Sequence, residues 1–291
     1  MPSQLLPILA PIYICIGLGF VWARLGRRYD TELVTRLITD VGAPCLVFTS
    51  LVELDADSDR MLAMVGATLA ALASFAVLGA AFLRAAGLPA TSFLAPLVFP
   101  NTGNMGLPVC LFAFGPEGLA LGACFFATTA IVHFTVGQWL WSGRVSLAQL
   151  FRTPLAYGAV AAAVVLSTGA ETPEWLLRTT RLLGSFTIPL MQLTLGVSLA
   201  RFAAGRLSRG VLLSALRFGV GLGVGAGLAE LLGLTGVARG VFIVDCTMPV
   251  AVFNYMLAER YQRDPADVAG LVVLSTLVSL VSLPLILAWV L

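Results

Sequence analysis

Pro100-Asn101-Thr102-Gly103-Asn104-Met105-Gly106-Leu107-Pro108 sits inside an apolar stretch that runs from about residue 90 to residue 114. These nine residues hold two prolines, two glycines and two asparagines. An unbroken helix is not written this way. Proline removes a backbone donor and collides with the preceding turn, and each glycine costs roughly 1 kcal/mol in a helix relative to alanine. Neither flank alone reaches the ~20 residues needed to cross a bilayer. The stretch therefore predicts one span that stops being helical near Pro100 and restarts near Asn104. In lipid the freed backbone groups must find partners or line a cavity. Pro100, Gly106 and Pro108 make the break, and Asn101 and Asn104 bring amide groups to it.

The rest of the chain has the composition of a membrane protein. Of 291 residues, 59% are hydrophobic and 11% charged, with a mean hydropathy of +0.96, against a charged fraction of about 25% in soluble domains. All 17 basic residues are arginine, and the net charge of +2 argues against a nucleic-acid partner. The five cysteines form no Cys-x-x-Cys pair and read as small buried hydrophobes. The N-terminal apolar run has no basic region before it and reads as a first span rather than a removed signal peptide.

Ten apolar segments follow one another, at residues 5–25, 31–52, 61–83, 90–114, 118–141, 153–169, 176–200, 211–232, 237–261 and 266–291. None alternates with the period of two that a barrel strand requires, so each is read as helix. The loops after segments one, three, five, seven and nine hold eleven arginines, and the other four hold three. That bias predicts a multi-pass protein of the cell membrane with both termini outside.

Shifting the chain by 145 residues lays its pattern on itself: Pro44 falls on Pro189, Thr102 on Thr247 and Asn104 on Pro249. The expected architecture is an all-α polytopic membrane protein of ten transmembrane helices in two five-helix repeats, 1–145 and 146–291. With five spans each, the second repeat enters the membrane inverted, a recurrent secondary-transporter plan. If segment four is broken, segment nine should be too. It carries Asp245, Thr247 and Pro249 in mid-span. Thr247 is placed to cap a half-helix whose first turn contains Pro249, and the two breaks are expected to cross at the midplane.

These residues carry a resemblance. Asn101, Gly103, Gly106 and Pro108 are similar to the Asn-x-Gly-x-x-Gly-x-Pro of the auxin efflux carrier family, within the bile acid/auxin-type transporter superfamily. Pro249, Ala251, Ala258 and Tyr261 resemble its second crossing. Ile188-Pro189-Leu190-Met191 with Leu195-Gly196, and Pro44, resemble further stretches. The resemblance implies a scaffold of helices 1, 2, 6 and 7 and a transport domain of helices 3–5 and 8–10. It also implies elevator-like alternating access, organic anions such as auxin or dicarboxylates as substrates, and a homodimer formed through the scaffold. Two features depart from the plant carriers: no long hydrophilic central loop follows Ser142, and Asn101-Thr102-Gly103-Asn104 stands where they have Asn-Pro-Asn.

Two half-helix N-termini facing each other would make an anion site. Asn101, Thr102, Gly103, Asn104, Thr247, Pro249 and Asn254 are the candidate substrate-binding residues, since neutral donors hold a carboxylate without burying a fixed cation. Asp245, Asp40 and His133 are the candidates for ion coupling, because intramembrane ionisable groups are functional by default. Asp40 stands four residues from Arg36, and Asp245 has Arg239 or Arg217 as a candidate partner, so structural ion pairs are the competing expectation. The coupling ion is expected to be H⁺ or Na⁺, with Na⁺ near Asn104 and Asp245 and no other metal and no cofactor. The partners expected are a small organic anion, the lipid bilayer and a second copy of the chain.

The leading functional expectation is thus a secondary transporter of a small organic carboxylate, not an enzyme. A sodium/proton antiporter of similar crossed-helix fold is the second reading. An intramembrane aspartyl protease using Asp40 and Asp245 is a remote third, since neither aspartate has a Gly-x-Gly-Asp context. The chain lacks both a Gly-x-x-x-x-Gly-Lys loop for ATP and a Gly-x-Ser-x-Gly for a serine nucleophile.

Overall fold

The computed structural model describes residues 2–53, 58–143, 154–201 and 207–291. Among them the chain is helical throughout, with one isolated antiparallel bridge as its only extended pairing. The elements are α1 (Pro2–Arg24), α2 (Thr31–Leu37), α3 (Ala43–Glu53), α4 (Ser58–Ala85), α5 (Ala90–Val98), α6 (Leu107–Val132) and α7 (Gln138–Ser142). They continue with α8 (Pro154–Thr168), α9 (Glu174–Ser185), α10 (Thr187–Arg201), α11 (Leu207–Leu231), α12 (Gly236–Thr247), α13 (Phe253–Arg260) and α14 (Pro265–Val290). Wide π-turns at Ile38–Gly42, Thr102–Gly106 and His133–Gly137 join α2 to α3, open the way into α6, and join α6 to α7.

Among the described residues, seven helical stretches are long and apolar enough to cross a bilayer: Leu5–Arg24, Thr31–Glu53, Asp59–Ala85, Thr102–Ser142, Glu174–Arg201, Ser208–Leu231 and Pro265–Val290. Leu6, Ile14, Leu62, Val77, Leu182, Val281 and Leu285 leave large apolar side chains on the outside of these helices, as a lipid-facing surface does. The chain is an all-helical polytopic membrane protein. The stretch Thr102–Ser142 is itself divided, because Gly115 stands at φ 68° and ψ −156° just before Pro116, a conformation open to glycine alone.

The breaks in the other spans do not all fall where the prolines stand. In the second segment the π-turn Ile38–Gly42 precedes Pro44. Pro44 has no N–H for the carbonyl of Asp40 and would collide with it, and a turn wound wider relieves both problems. The seventh segment divides at Phe186, three residues before Pro189.

The densest packing falls into two groups. In one, α1 lies on α10 and α3 lies on α8 and α9. In the other, α11 lies on α14, α12 and α4, while α6 packs on α4 and α12. The contact between α1 and α10 depends on Gly19 and Gly196. A Cβ at Gly19 would run into the carbonyl of Leu193, and one at Gly196 into that of Ile16. Small residues let membrane helices approach backbone to backbone. Side chains there would force the pair apart at a cost of about 1–3 kcal/mol. The loop at 142–152, with Arg144 and Arg152, lies largely outside the described residues, as do Arg206, Asp55 and Asp57.

Candidate functional site

The two interrupted helices meet at their breaks. Phe99 is extended (φ −100°, ψ 104°), as the residue before a proline prefers. Met248 is extended before Pro249 for the same reason (φ −59°, ψ 148°). The segments then pair antiparallel, Pro100 opposite Val250. Asn101 N–H donates to the Pro249 carbonyl at 2.7 Å, and Ala251 N–H to the Phe99 carbonyl at 3.2 Å. Val250 N–H donates to Ser275 Oγ at 3.1 Å. Backbone groups freed inside the membrane span are thereby satisfied. The Asn101 carbonyl accepts from Met105 and Gly106 N–H, both at 3.3 Å, and so starts the π-turn Thr102–Gly106 that runs into α6.

This pairing moves the second restart. Thr247 does not cap a new half-helix. It is the last residue of α12, and its hydroxyl donates back to Val244 at 2.8 Å. Pro249 lies in the extended segment, and α13 begins only at Phe253. Residues 249–251 are held in the pairing with the partner segment, and Val252 is already back in helical dihedrals (φ −55°, ψ −32°) ahead of α13. Asn254 is fully buried and clamps the paired segments, its Nδ2 donating to Ala251 O at 3.3 Å and Phe99 O at 3.5 Å.

One wall of a cavity of about 750 Å³ is formed by the first break. Of the candidate residues, Pro100, Asn101, Thr102, Gly103, Asn104, His133 and Asp40 line it; Asp245, Thr247, Pro249 and Asn254 do not. Gly103 is required for the packing behind the wall, since a Cβ there would lie 2.9 Å from the Phe126 ring. Thr129, Gln138, Thr194, Ser198 and Phe126, which no sequence motif marked, complete the lining together with Met191 of the Ile188–Met191 stretch; the first four bring polar groups and the other two apolar surface. Four buried polar atoms of lining residues have no protein partner: Asn101 Nδ2, Thr129 Oγ1, His133 Nε2 and Gln138 Oε1. Buried polar groups are normally paired, so these atoms are placed to meet a polar ligand or water.

His133 stands beside the paired segments, against Phe99. Its ring stacks on Phe99 with centroids 4.0 Å apart and planes 4° from parallel, and it meets Phe253 edge-on at 5.4 Å. It opens the π-turn His133–Gly137, and a Cβ at Gly137 would press on both His133 and Phe99. At the rim, outside the spans, Tyr29 shares a hydrogen bond of 2.7 Å with Thr194 Oγ1. Burial raises its phenol above the ordinary range, so it remains an O–H at neutral pH.

Asp245 is fully buried behind the π-turn. Its Oδ1 occupies the space that a Cβ of Gly106 would need, and its Oδ2 is 3.8 Å from Cys110 Sγ. Neither arginine near it in the chain forms an ion pair with it. Arg217, itself buried, donates to Cys246 O at 3.1 Å and lies over Phe75, while Arg239 lies over Trp289. Asp40 is likewise not paired with Arg36, which bonds Glu32 at 2.6 Å instead. Asp40 and Asp245 do not share a site, so no aspartyl pair is assembled. Among the described residues no three His, Cys, Asp or Glu side chains converge as metal ligands.

The membrane transport protein family matches this chain over residues 5–144 and 139–287. A relative named an uncharacterized transporter in Methanocaldococcus jannaschii is 30% identical over 197 residues, covering 64% of this chain and 63% of the relative, just under two thirds of its length. A second protein of that description, from Methanothermobacter thermautotrophicus, is 28% identical over an alignment of 296 positions covering 94% of each chain. The family match takes in both broken helices and all of the described cavity wall. The chain therefore belongs to the membrane transport protein family, of auxin efflux carrier type, and is a transporter rather than an enzyme.

Proposed function

We propose that the chain is a secondary carrier that moves a small organic carboxylate by alternating access. The observation that carries the reading is the wall of the 750 Å³ cavity, where Asn101 is buried with its Nδ2 unpartnered. The π-turn and first turn of α6 start there, and a helix start favours an anion through its free N–H groups and dipole. Neutral amides then orient the carboxylate without an opposing buried cation.

In this reading the chain has ten spans in two inverted repeats. Residues 31–53 and 174–201 each count as one bent span, and α5 with the start of α6, and α12 with α13, count as the two broken spans. The two packing groups are a scaffold and a transport domain, which slide past each other in an elevator-like cycle, and the scaffold holds two copies together. The cavity rim includes Thr31, Gln138, Pro154 and Ser198, all at the arginine-rich end of the bundle. The state described is then open to the cytoplasm. An active alkaline phosphatase fused after Leu291, with an inactive fusion within 142–152, is the expected topology result. The reverse pattern would overturn the orientation.

The function itself is tested by a thermal-shift screen of the purified protein against mono- and dicarboxylates, with and without sodium, at two pH values. A ligand that binds the folded state raises its stability. Stabilisation by at least one carboxylate is expected; stabilisation by sodium alone, with no response to any carboxylate, would favour the cation exchanger instead.

A further inference from the structure

Among the described residues that line the cavity, the formal charges are Glu32, Arg36 and Asp40. Glu32 and Arg36 neutralise each other. Asp40 is exposed on the cavity surface and has no cationic partner among the described residues, where its side-chain hydrogen bond comes from Thr39 Oγ1 at 3.0 Å. Arg36 would be its partner in a regular helix, four residues earlier. The π-turn Ile38–Gly42 begins between the two residues and widens the winding there, and Arg36 bonds Glu32 instead. The result is a carboxylate on the cavity surface, within a membrane span, left uncompensated.

A cavity shaped for a dianion would not carry an excess negative charge, because like charges on ligand and wall repel. The same charge attracts a cationic group. The same cavity lining offers Asn101, Asn104 and a helix start to an anion. It also holds Phe126, Phe134, Phe253 and Met191, apolar surface whose aromatic faces also tolerate an ammonium. We infer that the transported carboxylate also carries an ammonium group, as an apolar α-amino acid does, and that Asp40 is the side chain that selects it. The inference rests on the carboxylate reading of the cavity and deepens it.

The test uses the purified full-length protein and matched ligand pairs: alanine with propionate, leucine with 4-methylpentanoate, and phenylalanine with 3-phenylpropionate, with succinate as the dianion. In at least one pair the amino member should bind about 10-fold or more tightly than its partner, the size of a charged hydrogen bond, and succinate should bind worse than either. Asp40→Asn should bring the amino member down to its partner's affinity without weakening the partner, which is relieved of a like charge. Asn101→Ala should weaken both members. If no pair favours the amino member, or if succinate binds best, the ammonium inference fails while the carboxylate reading stands. An equal loss for both members in Asp40→Asn also defeats it, because that is the signature of a coupling or structural role. If 3-methylbutylamine binds as tightly as leucine and Asn101→Ala has no effect on leucine, the carboxylate reading is what fails.

Discussion

Asn101→Ala is expected to weaken carboxylate binding by about 10- to 150-fold, the equivalent of roughly 1.5–3 kcal/mol for one hydrogen bond to a charged group. The fold should survive. What Asn101 gives the crossing is its backbone, which donates to Pro249 and accepts from Met105 and Gly106. Alanine preserves all three bonds. Its side-chain Nδ2 is buried on the cavity wall without a protein partner, so truncation removes ligand contact and little else. Asn254→Ala is the contrasting variant. That amide bonds Phe99 and Ala251 and does not line the cavity, so its loss should lower thermal stability more than it alters ligand selectivity. Equilibrium binding and thermal melts on both variants separate the two roles. Unaltered affinity in Asn101→Ala would remove the first break from the site.

Asp245→Asn is expected to bind substrate yet fail to accumulate it against a gradient. Asp245 is enclosed behind the turn that holds Asn101 to Asn104, against Gly106 and Cys110. A bare carboxylate there and an anion in the cavity repel through the turn. Two like charges roughly 8 Å apart at an effective dielectric of about 20 oppose each other by about 2 kcal/mol, about 30-fold in affinity. A proton on Asp245, or a sodium ion beside it, removes that opposition. Substrate binding should therefore tighten as pH falls or as sodium rises, and by linkage the substrate tightens cation binding by the same factor. Asparagine imitates the neutral acid. In the variant, affinity should stay at the tight limit across pH 5 to 8 and be indifferent to sodium, while exchange across the membrane continues. A full wild-type response in Asp245→Asn would exclude this residue as the coupling group and leave His133, stacked on Phe99 at the crossing, as the next to examine.

The breaks were legible in the sequence because proline and glycine act locally. Pro100 and Pro249 each set the residue before them extended, and Gly115 before Pro116 divides α6. What local rules could not give was the length of the second break. Residues 249–251 stay out of the helix because the partner segment at 99–101 holds them, and that partner is about 150 residues away. Thr247 was therefore read as a cap when it ends a helix. The widened turn at Asp40 is a response to Pro44 four residues on, so its position is offset from its cause. Thr129, Thr194 and Ser198 carried no signal at all. Each is an ordinary helical hydroxyl until packing turns it toward the cavity. Asp245 and Asp40 both stand deep in apolar segments of the sequence, yet only Asp245 is buried and Asp40 is exposed; the distance of Asp245 from the cavity depends on which side of Gly106 it packs.

Counterflow in proteoliposomes tests the central claim most directly. Purified protein is reconstituted, the vesicles are loaded with a carboxylate that stabilises it, and entry of the labelled compound from outside is followed without any ion gradient. A carrier with a carboxylate site at the first break should show transient labelled uptake driven by exchange in the wild type, with Asp245→Asn retaining it and Asn101→Ala losing most of it at equal protein. Equal counterflow by wild type and Asn101→Ala, or no counterflow of any carboxylate that binds, would contradict the account.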